Sequence, residues 1–166
     1  MAEEFLSTAA LRAELEDATF DRPPALVSNA HITGLSVARA LSEHGVPVIA
    51  LDRNGDGVAP PSDAVDFAGE VTFPLDDLDG FREDVEAVVD AVGRDVVAFG
   101  CMDEWARSYA AAEPEGVRLP FAASDVLDAV LDKSELYATC EELGVPYPET
   151  HRLSETSVDE AAEALG

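Results

Sequence analysis

The chain has 166 residues, 47% of them hydrophobic, and carries 10 Lys and Arg against 35 Asp and Glu, a formal charge of -25. That charge excludes nucleic acid and anionic membranes as partners, since both require a basic face against phosphate, and the hydrophobic share excludes a chain too polar to build a core. At molar salt the Debye length falls to about 3 Å and surface carboxylates stop repelling one another, so the composition predicts a protein that keeps its structure in concentrated salt and loses it in dilute buffer.

Residues 3–17 read as a short acidic amphipathic helix with Phe5, Leu11 and Leu15 on one side, a preamble to the fold closed by Asp21-Arg22-Pro23-Pro24. "PALVSNA" is then a short apolar run. "TGLSVARALSEHG" has Leu35, Val37, Ala38 and Leu41 at helical spacing with Gly45 as its stop, and "VPVIALD" is a second buried strand. This is a β-α-β unit, whose crossover connection places the two strands parallel.

The loop "RNGDGVAPPSD" leads to a weaker strand around "FAGEVTF". In "LDGFREDVEAVVDAV" the residues Leu78, Phe81, Val85, Val88, Val89 and Val92 recur at helical spacing, and "RDVVAFG" is the next buried strand. "MDEWARSYAAAE" is a further helix leading into "GVRLP". Strands alternating with helices at this spacing predict a Rossmann-like open parallel sheet with helices on both faces, an α/β class. In such sheets ligands bind beyond the carboxyl ends of the strands, which directs attention to residues 28–34, 52–57 and 100–104.

From residue 122 the texture changes to consecutive helices, "SDVLDAVLD" and "KSELYATCEELG", then "VPYPETHRLSE" and a last helix "TSVDEAAEALG". Ser157 with Glu160, and Asp132 with Glu135, have capping-box spacing. The boundaries that follow are an N-terminal helical extension at 1–24, a Rossmann-like domain at 25–122 and linker helices at 123–166.

Two cysteines, Cys101 and Cys140, are too few for a disulfide framework or a zinc pattern. No apolar run approaches the roughly 18 residues that span a bilayer, and Met-Ala-Glu-Glu is the opposite of a signal-peptide start. A reduced, cytoplasmic protein is expected. Trp105, Tyr109, Phe81 and Phe99 stand at helical or strand spacing among apolar neighbours and are expected in the core, with both cysteines as small hydrophobes.

The loop "SNAHITG" holds one glycine, Gly34, where dinucleotide folds have Gly-x-Gly-x-x-Gly, so backbone has no licence to approach a pyrophosphate closely. Asp52, at the end of the second strand, has the place of a ribose-binding acid, but strand ends also carry Asp simply to turn the chain. Asp103 stands where a helix begins and suits a helix cap.

Three stretches in this order, "SNAHITGLSVARALSEHGVPVIALD", "VVAFGCMDEWA" and "VLDKSELYATCEELGVPYPET", resemble the opening of the ATP-grasp ligases, within them the carboxylate-amine ligases related to biotin carboxylase. The resemblance spans roughly residues 25–165. It implies a pre-ATP-grasp domain followed by linker helices and the start of an ATP-grasp lobe, the N-terminal piece of a longer enzyme and inactive alone. The reaction implied is ATP-dependent: a carboxylate becomes an acyl phosphate, an amine displaces phosphate, and Mg²⁺ bridges the nucleotide phosphates. The partners implied are a small carboxylate and a small amine, with a homodimer as the assembly. Paucity of lysine beside abundant acid is similar to sequences of extreme halophiles.

By this resemblance the only lysine, Lys133, meets the ATP phosphates as a point charge. The bland reading pairs it with Asp132 or Glu135. Asn29, His31, Thr33 and Gly34 would face the carboxylate substrate, and Asp103 and Glu104 the amine, with no catalytic residue and no metal ligand in this chain. Against these stand a water-exposed loop histidine at 31 and helix capping at 103. Two other classes compete: a stand-alone nucleotide or small-ligand binding module, and a structural or assembly domain without catalysis.

Overall fold

The computed structural model describes Ala2 and residues 4–166. The chain forms two compact units, one reaching to Leu127 and the other comprising Asp128–Gly166.

The first unit holds β1 (Ala25–Ser28), β2 (Val48–Asp52), β3 (Phe67–Glu70), β4 (Val96–Gly100) and β5 (Val117–Arg118). They make one sheet in the order β3-β2-β1-β4-β5, with every pairing parallel. The helices are α1 (Thr8–Glu16), α2 (Ile32–Glu43), α3 (Leu78–Val92) and α4 (Asp103–Ala112). β1 and β2 are buried along their whole length, which is why both read as unbroken apolar runs.

Side chains alternate across the sheet. Leu26, Ile49, Leu51 and Ala98 face a core cluster with Leu11 and Leu15 of α1, Phe81 and three valines of α3, and Trp105 and Tyr109 of α4. Ala25, Val27, Val48 and Ala50 face the opposite cluster with Ala38 of α2. Helices therefore cover both faces, as the alternating pattern predicts. Phe81, Tyr109 and Trp105 are core residues as expected, joined edge-to-face with ring centroids 5.0 and 5.8 Å apart. Phe99 is only partly buried.

The boundaries of α3 are written in its sequence. Asp77 caps it by accepting from the Gly80 N–H, and Gly93 ends it at φ 71. At the other end of the chain the helix is shorter than expected. It begins at Thr8, and Glu3, where it was expected to start, lies outside the described residues. The Ala2 N–H instead donates to the Val65 carbonyl ahead of β3, and Leu6 donates to Ala68, accepts from Glu70 and bridges Gly69. Leu11 and Leu15 are 0% and 1% exposed, so α1 is seated in the core and not beside it.

α5 (Ser124–Leu131) spans the division between the units in sequence, and the second unit contains α6 (Lys133–Leu143) and α7 (Val158–Leu165). Asp132 caps α6 through the Ser134 and Glu135 N–H groups, and Gly144 ends it in the left-handed region. The capping box at Ser157 and Glu160 is complete, and those hydrogen bonds hold the Glu160 carboxyl below the usual carboxylate range. At Asp132 and Glu135 only the forward half forms. Among the described residues no helix is long and apolar enough to cross a membrane.

Candidate functional site

β1 and β4 are neighbours, with Ser28 opposite Gly100. From β1 the chain turns into α2 on one face, and from β4 into α4 on the other. Opposite departures leave a crevice at the carboxyl ends, the switch point where open α/β sheets hold ligands. Asn29, His31, Thr33 and Gly34 stand on its β1 side, and Asp103 and Glu104 on its β4 side.

Asn29 makes the turn out of β1 in the left-handed region, φ 62, which asparagine enters more readily than other side chains. His31 is the N-cap of α2 but its side chain makes no capping bond, so among the described residues the first N–H groups of the helix have no side-chain cap. Ile32 and Thr33 are exposed there. Gly34 is buried, and a Cβ on it would lie 2.2 Å from the Asn29 carbonyl oxygen. Its role is close passage of α2 over the turn. It presents no open backbone to a ligand in the way the resemblance implied.

The β4 side repeats this design. A Cβ on Gly100 would lie 2.5 Å from the Ala106 nitrogen, so α4 also rests backbone on backbone. The N-cap of α4 is Met102, without a side-chain capping bond. Asp103 is therefore not the cap that its position suggested. Asp103 and Glu104 occupy the first turn, exposed and half-buried, where the helix dipole favours a carboxylate. Neither makes a hydrogen bond or ion pair among the described residues, leaving both carboxylates available to a cationic group.

The β2 side is closed by the protein itself. Asp52 is 3% exposed; one carboxylate oxygen accepts from the Ala30 N–H and the other from the Arg53 N–H, each at 2.8 Å. The Ala30 carbonyl accepts from the Ala59 N–H, and the Phe5 ring crowds Gly57 so closely that a Cβ there would lie 2.8 Å from it. Asp52 thus locks the 29–31 turn and, buried there, does not present its carboxylate to a ribose. His31 is half-exposed, with Nε2 3.9 Å from an Asp52 oxygen and 3.5 Å from one of Asp56.

One contact beneath the crevice escaped sequence reasoning. The Ser28 and Tyr109 hydroxyls, both buried, hydrogen-bond at 2.7 Å. Ser28 points to the α4 side because it follows Leu26 by two residues, a signal present in the strand alternation. Burial pushes the Cys101 thiol up to about 11, so at neutral pH it is no nucleophile; it is partly buried against the core cluster and not fully within it as expected.

Lys133 belongs to the second unit, at the first position of α6, and is exposed. The Asp132 oxygen that caps the helix bonds backbone N–H groups, and among the described residues Lys133 forms no ion pair with Asp132, Glu135 or any other carboxylate. The bland pairing is absent. Among the described residues no group of three His, Cys, Asp or Glu is placed to hold a metal ion.

Several solved structures share this architecture. A biotin carboxylase domain of a single-chain bacterial carboxylase matches with a TM-score of 0.54 and 24% identity, over 87% of this chain and 34% of that one. N5-carboxyaminoimidazole ribonucleotide synthetase from Thermotoga maritima matches at 0.56 and 18% identity, over 86% and 36%. The biotin carboxylase subunit of pyruvate carboxylase matches at 0.54 and 21% identity, over 87% and 32%. No protein-family model and no curated protein matches the chain. The likeness establishes the fold, a doubly wound parallel sheet followed by helices, and the chain spans about a third of the length of each of these structures.

Proposed function

We propose that the chain supplies the N-terminal substrate-binding part of an ATP-dependent carboxylate-amine ligase and is inactive alone. The observation that carries this reading is the switch-point crevice between β1 and β4. On one side it offers the uncapped first turn of α2, and on the other two carboxylates free of partners. An uncapped helix N-terminus favours an anion, and unpaired carboxylates favour an ammonium. The two substrates of such a reaction carry these two charges. Structural likeness to a biotin carboxylase and to a ribonucleotide synthetase over most of the chain supports the same class.

In this reading the α2 N-terminus at Thr33 steadies the carboxylate, with Asn29 and His31 flanking it. Asp103 and Glu104 draw the ammonium to the opposite wall, where one carboxylate takes a proton from it and the freed lone pair is oriented for attack. Gly34 acts by permitting the helix to sit close. ATP, when bound, supplies the phosphoryl group that activates the carboxylate. Lys133 is the side chain here fit to meet its phosphate oxygens: an exposed ammonium at a helix start, where the dipole disfavours a cation, unless an anion is docked against it. Among the described residues no group of three His, Cys, Asp or Glu is placed to hold Mg²⁺.

Phosphate release from ATP with panels of carboxylates and amines in concentrated KCl tests the proposal, on this chain and on the longest open reading frame that contains it. Release is expected from the longer polypeptide alone, dependent on both substrates. Lys133→Ala should weaken ATP binding there without lowering stability, since the side chain is exposed and unpaired. Unchanged ATP affinity would remove Lys133 from the assignment, and release with no carboxylate requirement would remove the ligase.

A further inference from the structure

We propose that segment 4–8 is a strap that regulates the β1 wall of the crevice: the wall is ordered while the strap lies on β3 and loosens when it lifts. The proposal rests on the crevice being the substrate site. The segment follows the outer edge of β3 as a short extra strand. The Leu6 N–H donates to the Ala68 carbonyl at 3.0 Å, the Leu6 carbonyl accepts from the Glu70 N–H at 2.8 Å, and the Thr8 hydroxyl donates to the Glu70 carbonyl at 2.8 Å. These bonds occupy groups that an edge strand otherwise leaves open. Side chains alternate as on any strand, Phe5 packing against the cluster on the α2 face and Leu6 against the cluster on the other.

That alternation brings the Phe5 ring to the loop that follows β2. Gly57 of this loop is held between two groups: a Cβ on it would lie 2.8 Å from Phe5 Cζ and 3.1 Å from the Ala30 carbonyl oxygen. The same loop meets the turn between β1 and α2 twice more. The Ala59 N–H donates to the Ala30 carbonyl at 2.9 Å, and an Asp56 oxygen lies 3.5 Å from His31 Nε2. Strap, loop and turn are thus joined contact by contact, and the series ends on His31 in the crevice wall. Phe5 is a positioning residue, acting on that wall through the loop.

The strap is the weak member of this series. Among the described residues Leu6 is its single bridge to the sheet, whereas β1 and β2 pair along the whole of β1. Phe5 and Leu6 are only partly buried, and Glu4 and Ser7 are exposed. A segment with so little buried opens at a lower free energy than the core strands, so the strap lifts while the sheet stays intact. The loop then loses the ring that backs Gly57. Coupling of this kind is reciprocal, and a ligand that firms the turn also holds the strap down.

The test is amide hydrogen exchange and histidine NMR on the 166-residue chain in molar KCl, with no substrate or nucleotide. Phe5→Ala should speed exchange at Ala59 by about tenfold or more and shift the His31 imidazole resonance. The Cys101 amide, bonded to the Ser28 carbonyl on the β4 side, and the resonances of His44 and His151 should stay as they are. Phe5→Leu keeps an apolar side chain against Gly57 and should restore most of the protection. Gly57→Ala forces ring and turn apart from between them and should speed both the Leu6 and the Ala59 amides. Phe121→Ala removes a partly buried ring just beyond β5, the opposite edge strand, and as the control for general loss of stability should leave Ala59 unchanged. Ala59 exchange unmoved by Phe5→Ala or Gly57→Ala, an unmoved His31 resonance, Phe5→Leu no better than Phe5→Ala, or an equal effect of Phe121→Ala would overturn the proposal. Since no substrate takes part, such a failure leaves the ligase reading standing, and a longer polypeptide without ligase activity leaves the coupling of strap to wall standing.

Discussion

The hydroxyls of Ser28 and Tyr109, 81 residues apart in the chain, meet at 2.7 Å beneath the ends of β1 and β4. This bond ties the last residue of a central strand to the helix that crosses the neighbouring one, directly under the crevice. Tyr109→Phe should cost about 1–3 kcal/mol by leaving the Ser28 hydroxyl buried without its partner, and Ser28→Ala added to it should recover part of that cost. Urea denaturation in molar KCl measures both. Burial holds the Tyr109 phenol above its ordinary value of 10.0, so the unfolded chain ionises first. The stability this group contributes is complete below pH about 10 and declines as pH rises beyond it.

Asp52→Ala strips the acceptors from the Ala30 and Arg53 N–H groups. Hydrogen bonds to a charged group contribute about 1.5–3 kcal/mol each, so a loss of at least about 2 kcal/mol is expected. Hydrogen exchange should locate it: the Ala30 amide, protected in the native chain, should exchange faster even where the global core does not. Protection unchanged at Ala30 would contradict the lock.

Gly34→Ala and Gly100→Ala each force a Cβ against backbone, 2.2 Å from the Asn29 oxygen and 2.5 Å from the Ala106 nitrogen. Backbone cannot swing aside as a side chain does, so both should lose at least the roughly 1–3 kcal/mol of ordinary overpacking. Gly93→Ala is the control. It meets nothing within 4 Å and bears only the cost of its left-handed φ of 71, about 1–2 kcal/mol. Thermal melts of the three variants rank them.

Cys101, raised by burial from an ordinary 9.0 to about 11, should alkylate slowly. Two units of pKa leave about a hundredfold less thiolate at pH 8, and the rate in a Cys140→Ser background should climb steadily to pH 10 and above. Fast labelling with a plateau below pH 9 would show that the thiol is open to water.

The formal charge of -25 predicts a sharp salt requirement. Helical circular dichroism should be intact in molar KCl and decline in dilute buffer, where the Debye length of about 30 Å at 0.01 M lets the carboxylates repel across the whole surface. Identical spectra in the two solutions would refute it.

Local pattern determined much of this protein. Runs such as "VPVIALD" and the valine spacing of α3 specify their elements because burial on a strand or helix repeats with a fixed period, and Asp77, Asp132 and Ser157 mark helix starts because a cap needs only the next three residues. The alternation of those elements was enough for the class of the sheet. Tertiary structure alone decided what the individual residues at the strand ends do. Asp52 became a lock on a turn 22 residues earlier, Gly34 a point of contact between helix and turn, and Ser28 a partner of Tyr109. Such pairings join segments distant in the chain, and whether a carboxylate faces a ligand or a neighbouring amide depends on which segment packing brings beside it. No spacing along the sequence encodes that.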